Sequence, residues 1–311
     1  MKQAIGQITP VLFLIGLGAF LGKRGFLSLE VVEGLKRIIA TIALPALLFL
    51  AFSRVYIQGR LGILGLIIFA ACGVMGGVGV LAAHTFRLPS PSTIFLFQGF
   101  EAGMLGYSLF LSLYSEEALP FFASADLGQV LYVFTILMFQ LQWTQTGRTG
   151  TPYSLISNML RSPVILAILA GLVSAVLDPG ALVVPWKDKG FLYPFFRTIG
   201  SITTPLVCLV VGFGLKDVRF NGTGSAFTAS FLRILVGGLL GACIGYFLVP
   251  LLGYEKMQSL AVGVIFLLPP PFIIPIFFKQ PEEQNYLSSV LSIHTLLSVL
   301  TIVTVAIVFT L

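Results

Sequence analysis

Apolar runs, punctuated by short charged or Pro/Gly-rich breaks, occupy nearly the whole chain. A helix needs about 20 apolar residues to cross the roughly 30 Å hydrocarbon core of a bilayer, and the runs are of that order. The pattern predicts ten spans, at 5–22, 34–53, 61–84, 93–114, 119–143, 162–178, 191–214, 226–251, 258–278 and 286–310. The longest polar break in the first two thirds, "QTGRTGTPYS" at 145–154, falls near the midpoint. It divides the chain into two five-span halves, 1–144 and 155–311.

The halves echo one another. Span 1 contains "TPVLFLIGLG" (9–18) and span 6 "SPVILAILAG" (162–171), each with hydroxyl-Pro-Val at its start and Gly at the same distance beyond. Span 2 contains "RIIATIALPALLFL" (37–50) and span 7 "RTIGSITTPLVCLV" (197–210), with Arg, a hydroxyl residue and Pro in matching positions. Span 3 carries Gly73 and Gly77, span 8 carries Gly237, Gly241 and Gly245, the small-residue spacing that lets helices approach closely. Pro and Gly are common in spans, and any one match could arise by chance; three in the same order argue for a repeat. An odd number of spans per half inverts the second copy, and inverted repeats are typical of secondary transporters with a midplane site between the repeats. The expected fold is an all-α polytopic membrane protein with two inverted five-helix repeats, whose interrupted helices 4 and 9 cross near the midplane.

Composition agrees with a membrane protein: 57% of 311 residues are hydrophobic and 10% charged, with a mean hydropathy of +1.01, whereas soluble domains carry about 25% charged residues. The net charge of +6 does not point to nucleic acid, because the basic residues sit singly or in pairs in short loops. Counting Lys and Arg by loop puts eight (Lys23, Arg24, Arg87, Arg148, Arg161, Lys216, Arg219, Lys279) opposite the termini. Six lie on the terminal side (Lys2, Arg54, Arg60, Lys187, Lys189, Lys256). With Lys36, Arg37 and Arg233 read as lying near helix ends, the bias predicts both termini outside. Arg37 and Arg197 are read as snorkelling to head groups. Cys72, Cys208 and Cys243 lie within apolar runs without metal or disulfide spacing. The first run, despite its early lysine, lacks a small-residue cleavage site and reads as a span.

The strongest local signal is "GVIFLLPPPFIIPIFF" in span 9. Pro269, Pro270 and Pro271 remove three N–H groups and crowd the preceding turn, so the helix must break; the freed carbonyls then need partners or a water-lined cavity. A kink without a ligand is the structural alternative. In the matching span 4, "FQGFEAGMLGYSLF" places Glu101 among Gly99, Gly103 and Gly106, followed by Ser108 and Ser112 on the same face. Glu101 lies roughly 12 Å into the span, where a charge costs about 2.5–3.5 kcal/mol on insertion scales. It is either a functional carboxylate or one that only holds the broken backbone together. In span 5, Asp126 and Gln129 share a face suited to a cation, a proton or a polar substrate group, unless Asp126 merely caps near the interface. Span 10 has a polar stripe, Ser288, Ser292, Thr295 and Ser298, with His294 as a proton relay or a packing residue. No Walker A, H-E-x-x-H or G-x-S-x-G motif is present.

With these residues in place, the chain resembles the auxin efflux carrier family along essentially its whole length. "LPALLFLAF" (44–52) is similar to the family's span-2 motif, and "EAGMLGYSLF" (101–110) to its span-4 pattern Asn-x-Gly-x-x-Gly-x-Pro-Leu. "SEEALPFFASADLGQVLYVFT", "SPVILAILAGLV", "TPLVCLVVGFGL" and the span-9 prolines resemble later segments in the same order. The resemblance implies a crossover fold like that of bile-acid and sodium/proton transporters. Spans 1, 2, 6 and 7 would form a scaffold, and spans 3–5 and 8–10 an elevator-type transport domain for organic acid anions. It also implies a homodimer through the scaffold spans. Glu101 stands where the family pattern has Asn, and Ser108 where it has Pro; a carboxylate near the site opposes an anionic substrate unless it is protonated or cation-paired.

The sequence therefore predicts a secondary transporter in the cytoplasmic membrane, not an enzyme, moving a small organic solute. Glu101, Gly103, Gly106, Ser108, Asp126, Gln129, Pro269, Pro270, Pro271, Ser292 and His294 are the expected lining, with Glu101 and Asp126 as ion-coupling residues. No cofactor is expected beyond a bound Na+ or H+, and no partner beyond solute, membrane lipid and a second copy. A cation/proton exchanger is the alternative within transport. An intramembrane enzyme, needing Glu101 and His294 within hydrogen-bond reach, or a ligand sensor is the alternative from another class.

Overall fold

The computed structural model describes residues 2–55, 59–146, 161–177, 192–215, 224–278 and 280–309, and every regular element among them is helical. The first helices are α1 (Lys2–Lys23), α2 (Leu29–Phe52) and α3 (Gly59–Thr85). The fourth apolar run is split into α4 (Ser92–Phe97) and α5 (Tyr107–Leu113). Then come α6 (Glu116–Thr144), α7 (Pro163–Leu177), α8 (Tyr193–Leu215) and α9 (Gly224–Leu251). The chain ends with α10 (Lys256–Leu267), a short 3-10 turn at Ile274–Phe277, and α11 (Pro281–Phe309). Among the described residues, seven stretches are long and apolar enough to cross a membrane, counting the split fourth run as one. Among the described residues, expected spans 1, 6 and 9 carry the apolar helices Thr9–Lys23, Pro163–Leu177 and Lys256–Leu267. Most of the midpoint break, with Arg148, Lys187, Lys189, Lys216, Arg219 and Lys279, lies outside the described residues.

Local chemistry explains where helices begin and bend. α2 starts five residues before the apolar run because the Ser28 hydroxyl accepts the Val31 N–H at 3.3 Å, an N-cap that recruits the charged segment Glu30–Arg37 into the helix. Within α2, Pro45 cannot donate, and a wide turn at Ile39–Ala43 precedes it, closed by the Leu44 N–H on the Ile39 carbonyl.

Helices pack where glycine removes the side chain. α1 lies along the second half of α8: a Cβ on Gly212 would run into the Ile15 carbonyl, and one on Gly18 into that of Leu209. α7 lies along the second half of α2, with Gly171 against Phe52 and the Phe49 carbonyl. α3 packs on α6 through Gly65 and Gly128, and on α4 through Gly79 against Phe97. α9 packs on α10 through Gly237, Gly241 and Gly245, the three predicted from spacing. In α3 the predicted Gly77 meets nothing, and Gly76 and Gly79 make the close contacts. α10 also packs on α6, and α9 on α11.

Candidate functional site

The two interrupted runs meet. After α4, Gln98 is extended and Gly99 takes φ +70°, a conformation L side chains rarely adopt. After α10, Leu268 is extended and the three prolines come next. Glu101 joins both breaks. Its N–H donates to the Pro269 carbonyl at 2.8 Å, and its carboxylate accepts the Met104 N–H (Oε1, 3.1 Å) and the Phe272 N–H (Oε2, 2.7 Å). One side chain thus caps the resuming helix of the fourth run, through a wide turn at Ala102–Gly106, and an N–H freed by the ninth. The geometry includes the backbone-holding role considered from the sequence, and it also leaves the carboxylate lining a cavity.

That cavity has a volume of about 1860 Å³ and reaches from the first turns of α2 and α11 to the two breaks. Of the expected lining, Glu101, Gly103, Asp126, Gln129, Pro271 and Ser292 are there. Asp126, buried, accepts from Tyr107 (Oδ2, 3.2 Å) and from the Gln129 amide nitrogen (Oδ1, 2.9 Å). It is not an interfacial cap. Glu101 and Asp126 line the same cavity. The Gln129 amide oxygen has no hydrogen-bond donor and is turned towards Gly99, 3.6 Å from the position a Cβ would take there. Ser292 donates to the Gly214 carbonyl at 3.4 Å.

The remaining expected residues sit behind this wall. Gly106 packs against Leu268 and Phe122, and the Ser108 hydroxyl turns back to the Met104 carbonyl at 2.7 Å. Pro269 and Pro270 are buried, Pro269 contributing its carbonyl to the bond with Glu101. His294 is fully buried off the cavity, its ring against the backbone of Ser230 and Leu268. The contact between Glu101 and His294 that an intramembrane enzyme would use is not formed.

Arg233 corrects the sequence reading most. It lies in the middle of α9 and is 1% exposed, not at a snorkelling helix end. Its guanidinium donates to the Gly99 carbonyl at 2.7 Å and lies 4.9 Å from the Phe100 ring centroid. Phe100 lines the cavity, so the arginine backs the break from behind it. The signal was available: Arg233 is about as deep in its predicted run as Glu101 is in span 4. Arg197 is also corrected. With Arg54 and the Tyr193 hydroxyl it converges on the Glu116 carboxylate, at 3.1, 3.3 and 2.6 Å respectively.

No family model matches the chain. It is 26% identical over 238 residues to an uncharacterized transporter of Methanocaldococcus jannaschii, covering 74% of this chain and 75% of the relative. A second such transporter, from Methanothermobacter thermautotrophicus, is 25% identical over 248 residues, 78% of each chain. YfdV of Escherichia coli strain K12, also an uncharacterized transporter, is 20% identical over 275 residues, 86% of this chain and 85% of its own. With the apolar helices, these likenesses support a multi-pass membrane transporter.

Proposed function

We propose that this chain is a secondary active transporter that binds a small organic solute in the cavity between its two broken runs. The observation that carries this reading is the cavity itself, which ends on two carboxylates at a point where broken helices expose backbone polar groups. In this reading the ten apolar runs are ten spans of the cytoplasmic membrane in two inverted halves, 1–144 and 155–311, with both termini outside. The packing pairs support the repeat. α1 with α8 mirrors α7 with α2, and α3 with α4 and α6 mirrors α9 with α10 and α11. Spans 1, 2, 6 and 7 then form a scaffold, suited to a homodimer, against which the other six move as an elevator.

In this reading Glu101 and Asp126 are the ion-coupling residues, and each turnover carries positive charge through them as a proton, a sodium ion or a group on the solute. A cation/proton exchanger is the second reading, favoured by two carboxyls on the wall of one cavity. Counterflow in proteoliposomes, over a panel of organic acids and amines with and without pH and sodium gradients, tests both. Gly103→Trp should abolish the flux. A Cβ at Gly103 meets only Leu44 at 3.4 Å and Glu101 at 3.8 Å, so the indole extends into the cavity. If no solute exchanges under any gradient but sodium or protons do, the exchanger reading replaces the first.

A further inference from the structure

The polar groups facing the inner end of the cavity are acceptors whose donors are already spent. The backbone N–H groups of Met104 and Phe272, donors of the kind that broken helices offer to an anion, are both taken by the Glu101 carboxylate. Asp126 adds a second carboxylate. Gln129 spends its amide nitrogen on Asp126.

Charge points the same way. The lining contains five acids (Glu30, Glu33, Glu101, Asp126, Glu282) and two bases (Lys36, Arg37), although the chain as a whole is at +6. Lys36 is already paired with Glu33 at 2.7 Å. A cleft of one sign concentrates ligands of the other. The two acids of the lining that lie on the broken fourth run and on α6 beside it are Glu101 and Asp126. Leu44, Phe100, Met104, Val130 and Phe134 line the same space, and a cavity of about 1860 Å³ with apolar walls accommodates a hydrocarbon body rather than a bare ion.

From this we infer that the solute carries an organic ammonium group, seated at the Glu101 carboxylate on the wall it shares with Asp126, with its apolar part against the cavity wall. The protein's own Glu101 carboxylate fills the seat that an organic acid would need. The inference rests on the transporter reading and names its substrate class, the solute itself supplying the positive charge of each cycle.

The test titrates the purified protein with butylammonium, butyrate and sodium at fixed pH and ionic strength, reading thermal stability, with counterflow of the wider panel alongside. Butylammonium should raise the unfolding temperature saturably and butyrate should not. Asp126→Asn should weaken the apparent affinity for butylammonium about tenfold, the loss of one charged partner. Glu101→Gln should abolish the response; should that variant fail to fold, Asp126→Asn decides alone. Stabilisation by butyrate or by sodium alone, or an unchanged affinity in Asp126→Asn, overturns the inference. So does counterflow of organic acids without amines, which leaves the transporter reading intact. No counterflow of any solute removes both.

Discussion

Arg233 carries a charge that packing alone does not explain. A buried guanidinium costs several kcal/mol unless its donors are matched, yet its Nε and one terminal nitrogen have no partner among the described residues. What it does supply is a donor to the Gly99 carbonyl, a group the break has freed from any helix. Arg233→Met should therefore lower stability by about 1–3 kcal/mol, the cost of a buried carbonyl left unpaired. Arg233→Lys should fall between, keeping the charge but not the planar fork that bonds and stacks together. Thermal unfolding in detergent checks this, and a Met variant as stable as wild type would leave the Gly99 bond without value. At this scale Glu101 was legible, because one acid deep in an apolar run has few explanations. His294 was placed in the lining on composition, although it stands two residues from Ser292, and positions i and i+2 of a helix do not share a face. The positive-inside count treats Arg233 as lying near a helix end, although its depth in the eighth run matches that of Glu101 in the fourth.

The fourth and ninth runs reach similar breaks by different chemistry. In the ninth, three prolines dictate the interruption, and the sequence shows it directly. The fourth has no proline at the matching place; its break depends on Gly99 at φ +70° and on the Glu101 carboxylate that caps the resuming helix. A Cβ at Gly99 would lie 2.5 Å from Val133 Cγ2 and 3.3 Å from Pro271 Cγ, so Gly99→Ala combines backbone strain with a clash against both packed elements. Loss of about 2 kcal/mol or more is expected, read as a lower unfolding temperature and poor recovery of monodisperse protein. Gly103→Ala, with open space beyond 3.4 Å, is the control that should leave stability nearly unchanged. Equal behaviour of the two variants would show that the break does not need glycine at 99. The sequence showed that glycines weaken this run, but not which one turns, because φ depends on the neighbour that crosses it.

For the whole molecule, the helical class and the boundaries of most runs were legible from hydropathy, since an apolar run of about 20 residues has few other uses. The contacts between distant runs were not, and the cluster around Glu116 is one of them. Glu116 stands at the start of α6, while Arg54 lies just beyond α2, and Tyr193 and Arg197 belong to α8. In the elevator reading α2 and α8 are scaffold and α6 moves, so these contacts join the two bodies and must break when the carrier leaves the conformation seen here. Arg197 is 63% exposed and contributes little, whereas Arg54 and Glu116, at 16% and 21%, are sheltered. Solvent-exposed pairs are worth about 0–1 kcal/mol each, so removing the carboxylate should favour departure by roughly that amount per contact. Glu116→Gln should then exchange solute about two- to tenfold faster wherever leaving this state limits turnover, each 1.4 kcal/mol being tenfold in rate. Wild-type exchange should also quicken with ionic strength, because salt screens the pairs, and the variant should lose that dependence. A variant with unchanged rate and unchanged salt response would mean that Glu116 only orders the loop at the head of α6, and that the moving boundary lies elsewhere.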